Sequence, residues 1–559
     1  MKVKHIIKGS IAAVTFILNG ILPVSFVQAQ VTATLIDPLE KVFPETVIPV
    51  EHFKEIDVAI GEVASAQLVL RSIQNRDQVK LSIEVPGLPK SVVSCAPVGY
   101  VRAERNYTEP AVDRLVSNFG FYADPIMDGH PVRLQAGQAQ ACFIRIAIPQ
   151  GTRSGVYPVN INIQADGDTI QKSFLIRVHN VKLEKQQLWI ANWYTLDPQC
   201  LALMNNGEKV EPYGKVYWKL VKTLAEKMAA YGQNVAFVSP LDFATYTKQG
   251  DQYTIDFSRV DQAVEIFRNA GVSGKLEGGH IGEHSNGWTS TYIVRVPEPG
   301  ADSTVFLRLP IQDPRAKSFY AQFFKALVPH LEKKGWLTDY YQHIADEPIN
   351  ENKRSYIDIA SYVRSIVPNI KIADACHSKD LAETIDLWVP QLDLLNKDFA
   401  FYQERKKAGD EVWFYTCLWP RGNYANRFID LPLIKTRLLH WINYKYGIDG
   451  YLHWGFNWWT DEPFAETTFI NDAGGNLLPA GDSWIVYPGY HTLYSSIRLE
   501  AMRDGINDHT LLKMLEAKDP VLAKKIIDNM VYKFDWYDTS IRHFRKARRE
   551  MLIALAGNY

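Results

Sequence analysis

Residues 340–351 read YYQHIADEPINE: an aromatic, apolar run, then two adjacent carboxylates, Asp346 and Glu347, then Pro348. Carboxylates crowded into a partly apolar cleft cannot both ionise cheaply, so one is expected to keep its proton near neutral pH beside a charged neighbour. A protonated acid next to an ionised one is the equipment for cleaving a glycosidic bond. The structural alternative is that both acids simply favour the N-terminus of a following helix, by about 0.3 to 1 kcal/mol. Position separates the two readings. Neighbours in an ideal strand point to opposite faces, and only over a strand's last residues, where Pro348 stops it, do both side chains lean over one rim.

Other residues suit a sugar ligand. Tyr415 and Trp419 share one parity, Trp454 and Trp458 another, and Asn457 lies beside them; flat rings stack on the apolar face of a pyranose while an amide reads its hydroxyls. Each ring taken singly serves as well in a core. His280, in GGHIGEH, is a candidate partner for a sugar hydroxyl. With Glu283 and His284 it makes a loose cluster whose spacing matches no zinc signature, so neither a metal nor another cofactor is expected.

These side chains need strand ends to hold them. From Leu188 onward, apolar strand-like runs alternate with segments of helical period, the signature of a parallel sheet. The candidate strands are residues 188–196, 234–240, 274–282, 339–348, 371–376, 386–392, 411–420 and 450–459. Eight strands close a (β/α)8 TIM-like barrel, whose C-terminal strand ends carry the chemistry, and Asp346 and Glu347 fall at such an end. Helices are predicted around residues 215–231, 259–270, 316–334 and 352–367, the last stopped by Pro368. An open doubly wound sheet would show a glycine-rich loop after its first strand, and TLDPQC is not one. The Ser-, Thr-, Gly- and Pro-rich connection 284–313 is expected to be a long loop walling the mouth. A second long loop is expected over residues 460–496, with helices from about residue 499 closing the outer layer.

All 14 tryptophans lie at or after Trp189, which sets the first third apart. There, runs such as SAQLVLRSI, ACFIRIAIP and YPVNINIQA between Gly, Pro, Asn and Asp turns predict an all-β sandwich. Lacking an aromatic face, it reads as a scaffold rather than an independent ligand binder. At 559 residues the chain exceeds one ordinary domain. The expected organisation is multidomain: a signal peptide over residues 1–29, the β-sandwich over 30–185, and the barrel with C-terminal helices over 186–559.

The leader reading rests on Lys2, Lys4 and Lys8 ahead of an apolar stretch that ends in small residues at Ala29. Asn19, Gly20 and Pro23 interrupt that stretch, which disfavours a membrane anchor; no cysteine follows for lipid attachment, and no later window would span a bilayer. A periplasmic or secreted mature chain is expected. Cleavage takes the formal charge from −1 to −4, against a nucleic-acid partner. The five cysteines are too few and too scattered for a disulfide framework or a zinc site, and none is given a role.

GEVASAQLVLRS in the sandwich, HIADEP on the fourth strand, YGIDGYLHWGFNWW on the eighth and SSIRLEAMRDGINDH after it together resemble glycoside hydrolase family 123 over nearly the whole mature chain. The resemblance implies a retaining β-N-acetylgalactosaminidase in which the sugar's own 2-acetamido carbonyl attacks the anomeric carbon, acting on glycans with a terminal N-acetylhexosamine. It implies Glu347 as the general acid and then base, Asp346 as the residue that orients the acetamido N–H, and Tyr415 as the hydroxyl that holds the acetamido oxygen, between walls from Trp419, Trp454 or Trp458. A glycosidase for another sugar and a non-catalytic carbohydrate-binding protein are the alternatives.

Overall fold

The computed structural model describes residues 31–48, 51–103, 120–165, 167–300, 304–468, 470–471 and 476–557. The predicted signal peptide, residues 1–29, lies outside them. Among the described residues no helix is long and apolar enough to cross a membrane.

Ten strands build the first part: β1 (Val31–Ile36), β2 (Glu55–Ile60), β3 (Val63–Ser72), β4 (Arg76–Glu84), β5 (Val93–Ala103), β6 (Gly120–Ile126), β7 (Val132–Leu134), β8 (Ala139–Ala147), β9 (Gly155–Ala165) and β10 (Asp168–Lys182). They form two five-stranded sheets in the orders β1-β3-β8-β5-β6 and β2-β10-β9-β4-β7. Period-two patterning decides which side chains meet. Cys142, Ile144 and Ile146 of β8 turn into one core with Leu68 and Leu70 of β3, and with Ile161, Phe174 and Ile176 of the other sheet.

The second part continues with β11 (Trp189–Asn192), β12 (Val235–Phe237), β13 (Thr245–Gln249), β14 (Gln252–Asp256), β15 (Lys275–His280), β16 (Gly282–His284), β17 (Tyr292–Pro299), β18 (Thr304–Leu309), β19 (Tyr340–His343), β20 (Ala373–Cys376), β21 (Leu387–Pro390), β22 (Glu411–Tyr415) and β23 (Gly450–His453). All eight predicted strands are present, each shorter than its apolar run. The predicted helices appear as Lys215–Ala230, Ser258–Ala270, Pro314–Lys334 and Lys353–Ile366. The eight strands are parallel but fall into two sheets, β11-β23-β22-β21-β20 and β12-β15-β19, so the barrel expectation is met in part. At one seam the sheets meet through a single bridge between Gln342 and Ile372. At the other, the amide of Asn234 stands in for backbone: its Oδ1 accepts from Ile190 N at 2.8 Å and its Nδ2 donates to Leu188 O at 3.0 Å.

The connection expected as a long loop over residues 284–313 instead carries two strands of a three-stranded antiparallel sheet, β16-β17-β18. Its strands YIVRVPEP and TVFLRL alternate in polarity, a signal hidden among the turn-forming residues around them. The β13–β14 hairpin was likewise not foreseen.

The motif SSIRLEAMRDGINDH opens the helix Ile497–Lys518 and joins the two parts of the molecule. Arg498, fully buried, donates to both oxygens of Asp124 at 2.9 and 2.8 Å and to the carbonyls of Arg427, Gly481 and Trp484. Glu500 accepts from Tyr231 Oη at 2.6 Å and pairs with Arg145 at 3.2 Å and with Arg503 at 2.5 Å. Gly505 allows the close approach: a Cβ there would lie 2.5 Å from the carbonyl oxygen of Arg437. Asp508 receives Arg437 at 2.7 Å and Arg548 at 2.8 Å, and Arg548 reaches on to Glu62 in the first part. Burial raises the Asp508 carboxyl, but the two guanidinium groups outweigh it and hold the acid at about 2.

Asp508→Ala takes the shared carboxylate from two buried guanidinium groups, leaving Arg437 only Asp504 and Arg548 only Glu62 as acid partners, and breaking such a cluster from one side costs about 3–5 kcal/mol. Urea unfolding at neutral pH is expected to show a loss of that size, whereas Lys513→Ala, at an exposed pair on the same helix, is expected to stay within about 0.5 kcal/mol of the parent.

Candidate active site

The chain leaves β19 at His343, passes the buried Ile344 and Ala345, and turns sharply at the carboxylate pair. Glu347 has φ +47°, in the left-handed region, a conformation that costs a non-glycine residue on the order of 1–3 kcal/mol and persists only when its surroundings enforce it. Asp374 Oδ2 accepts from Ile344 N at 2.9 Å, Tyr292 Oη donates to Asp346 O at 2.7 Å, and Asn352 Oδ1 accepts from Ile349 N at 2.9 Å. These anchors come from β20, from β17 of the inserted sheet and from the residue that opens the helix Lys353–Ile366. Strand alternation ends here, which removes the geometric objection to two consecutive carboxylates serving one cleft.

Glu347 is the deeper of the two, with its side chain 16% exposed against 50% for Asp346. Tyr415, at the end of β22, donates to Glu347 Oε1. His377, just past β20, places Nε2 3.5 Å from the same oxygen and 2.7 Å from Tyr415 Oη. Burial raises Glu347, but the hydrogen bonds and charge of His377 and Tyr415 outweigh it and hold the acid below the usual carboxylate range. Asp346 moves the other way, pushed up to about 6 by burial and by the charge of Glu347. As the side chains stand, then, Asp346 is the easier of the two to protonate. His377 is raised, because Glu347 outweighs the burial that would lower it.

His280, at the end of β15, lies 4.0 Å from Asp346 and 3.5 Å from Asp374. Together with His343 and Asp374 it offers ligand atoms that lie within 4.8 Å of one another, a different trio from the one the sequence suggested. Glu283 is turned to Arg308 at 2.5 Å. His343 Nδ1 already donates to Asp374 at 2.8 Å, and no metal is assigned.

Trp454 and Trp458 do meet: their rings stand 6.1 Å apart at 48°, with Trp458 41% exposed and Trp454 Nε1 donating to Asp482 at 3.1 Å. Trp419, 40% exposed, carries the Arg421 guanidinium 4.3 Å over its ring; no hydrogen bond or ring contact among the described residues joins it to the carboxylates. The expectation for Asn457 is corrected. It is fully buried, and its amide is spent on the backbone of Thr195, with both bonds at 3.0 Å, so it braces the β11 exit and does not read a sugar.

Sequence reasoning missed His377, Asp374, Tyr292 and Trp288. His377 obeys the same rule that singled out Asp346, since it directly follows the strand KIADAC. Trp288, whose ring lies 5.1 Å from His284 and 6.4 Å from His377, comes from the insertion and carried no comparable signal.

The model of the glycoside hydrolase 123 catalytic domain matches residues 196–515. The chain belongs to glycoside hydrolase family 123. Its likeness to a family 123 glycoside hydrolase from Clostridium perfringens, solved in work on glycolipid glycan hydrolysis, covers 94% of this chain and 97% of that one, with a TM-score of 0.73 at 16% identity. At that identity the likeness speaks for the fold. Bacteroides uniformis β-glucuronidase 3 (TM-score 0.28, 10% identity, 82% and 51% covered) and the Thermotoga petrophila endo-β-1,4-mannanase (0.33, 13%, 58% and 77%) are too distant to carry any argument. No curated protein matches. As a member of family 123 the protein is a glycosidase.

Because Asp346 stands above its unfolded-chain value, its contribution to stability is present below about pH 4 and is lost as pH rises through about 6. Asp346→Asn is therefore expected to raise the Tm relative to the parent at pH 8 and to leave it nearly unchanged at pH 4. Thermal unfolding at the two pH values checks this; a fall in Tm at pH 8 would contradict the raised acid.

Proposed function

We propose that this family 123 enzyme is exported to a periplasm or beyond and removes β-linked N-acetylgalactosamine from glycans by retention, with the 2-acetamido group of the substrate as the nucleophile. The proposed frame is a closed (β/α)8 barrel, its two sheets joined at the Asn234 and Gln342 seams, with the site on its C-terminal rim.

The observation that carries the reading is the left-handed turn at Glu347, beside which two consecutive carboxylates stand close enough for the charge of one to raise the other. A mechanism with a protein nucleophile needs carboxylates that flank the sugar. A substrate that brings its own nucleophile needs only an acid and a group to steady the amide, and these can be neighbours.

The protonation pattern fits that chemistry once a substrate amide enters. An N–H donated to Asp346 favours its ionised form, and the new charge raises Glu347. Tyr415, turning from Glu347 to the acetamido oxygen, lifts a second restraint that keeps Glu347 low. The proton passes to Glu347, which protonates the departing glycosidic oxygen as the acetamido carbonyl attacks the anomeric carbon. Asp346 balances the positive charge on the oxazolinium-like intermediate; Glu347, now anionic, deprotonates the water that opens it. Trp454 and Trp458 supply an exposed aromatic corner for the sugar's apolar face.

Release of p-nitrophenol from the β-N-acetylgalactosaminide is expected, with strong inhibition by a thiazoline mimic of the bicyclic intermediate. Glu347→Gln is expected to lower kcat/KM by about 10²–10⁴-fold on substrates with poor leaving groups. Turnover confined to sugars without an acetamido group, or an unchanged rate in Glu347→Gln, would overturn the reading.

A further inference from the structure

Beneath the carboxylate pair runs a file of buried ionisable side chains that the proposed chemistry does not use. Glu277 of β15 accepts from Trp193 Nε1 at 2.9 Å and lies 3.5 Å from His343 Nε2. His343, fully buried at the end of β19, donates through Nδ1 to Asp374 Oδ1 at 2.8 Å. Asp374, fully buried on β20, accepts on its other oxygen from Ile344 N and Tyr356 Oη. His280 spans the remaining gap, 3.5 Å from Asp374 and 4.0 Å from Asp346. The T-shaped ring contacts of Trp193 with His343 (5.5 Å) and His280 (5.3 Å) hold both imidazoles in place.

Resting on the reading of Asp346 and Glu347 as the reacting pair, we infer that Asp374 is a positioning residue of the reaction: it fixes the exit of β19 through Ile344 N and, through His280 and His343, sets which of the two carboxylates holds the proton. His343 is held cationic, at about 10, because Asp374 and Glu277 outweigh the burial that would lower it, and Asp374 is held anionic by His280 and His343 against its own burial. Taking several ions out of water is costly, and well-packed apolar side chains serve stability as well or better. A file that ends 4.0 Å from a reacting acid therefore points to a role in that acid's charge.

The ionisable groups that face Asp346 are Glu347 on its own segment, His280 from β15, His343 from β19, Asp374 from β20 and His377 just past it, Tyr292 from the inserted sheet, and Tyr415 from β22 with Cys417 just past it. Asp374 and Glu347 raise Asp346, while His280 and His343 lower it. Substitutions along the file therefore have opposite signs. Asp374→Asn keeps an oxygen for Ile344 N but removes the charge, and is expected to move the Asp346 limb of the kcat/KM profile down by about one pH unit. His280→Gln is expected to move it up. Glu277→Gln, farther from the pair, is expected to give a smaller downward shift and serves if Asp374→Asn does not fold.

The same displacement is readable without turnover, as the pH at which Asp346→Asn begins to raise the Tm, measured in the parent, Asp374→Asn and Glu277→Gln backgrounds. A uniform loss of activity at every pH with that midpoint unmoved would overturn the inference and leave the glycosidase reading standing. A parent inactive on all glycosides with a displaced Tm midpoint would reject the reading of the pair while leaving the electrostatic coupling in place.

Discussion

Consecutive residues on a regular strand face opposite ways, and the left-handed backbone at Glu347 lifts that restriction at the pair of carboxylates proposed to react. The turn is unfavourable in isolation and is imposed from several directions: Asp374 holds the amide ahead of it, Tyr292 the carbonyl inside it and Asn352 the amide beyond it. The same anchors do electrostatic work. Asp374 orders the strand exit and contributes charge, and Tyr415 and His377 both touch Glu347 while bridging to each other. Backbone strain and proton placement are thus two aspects of one network.

That network needs a stiff frame, and much of the stiffness comes from buried arginine–carboxylate pairs around the helix Ile497–Lys518. Arg498, Glu500 and Asp508 each bind partners from distant stretches of chain, Asp124 and Arg145 in the first part and Arg437 and Arg548 in the second. The most distinctive motif of the sequence is therefore a joint between the two parts of the molecule. Guanidinium forks suit this role because one planar group satisfies several acceptors at fixed angles.

The strands and helices of the second part were legible because their signal is local: apolar period, proline stops and strand-end position survive without knowledge of partners. Asp346 and Glu347 were found by that route, and His377 obeys the same rule. What stayed hidden depends on contacts across the chain. Asn457 has the chemistry of a sugar reader, but its amide is claimed by Thr195, more than 250 residues away in sequence. Which carboxylate holds the proton depends on His377, Tyr415 and Asp374, contributed by other strands. The sheet β16-β17-β18 was masked by the glycines, serines and prolines that link its strands.

That inserted sheet has one end tied to the chemistry and another free of it. Tyr292, where β17 begins, braces the carbonyl of Asp346, while the far end of β17 is held by the β13–β14 hairpin, through Lys248 on Glu298 and Tyr253 Oη on the carbonyl of Pro297. Over evolutionary time the distal edge can lengthen, shorten or change its surface to suit different glycans, whereas the base is bound to the reaction. Divergence within this architecture should therefore concentrate along the distal halves of β17 and β18, away from Tyr292.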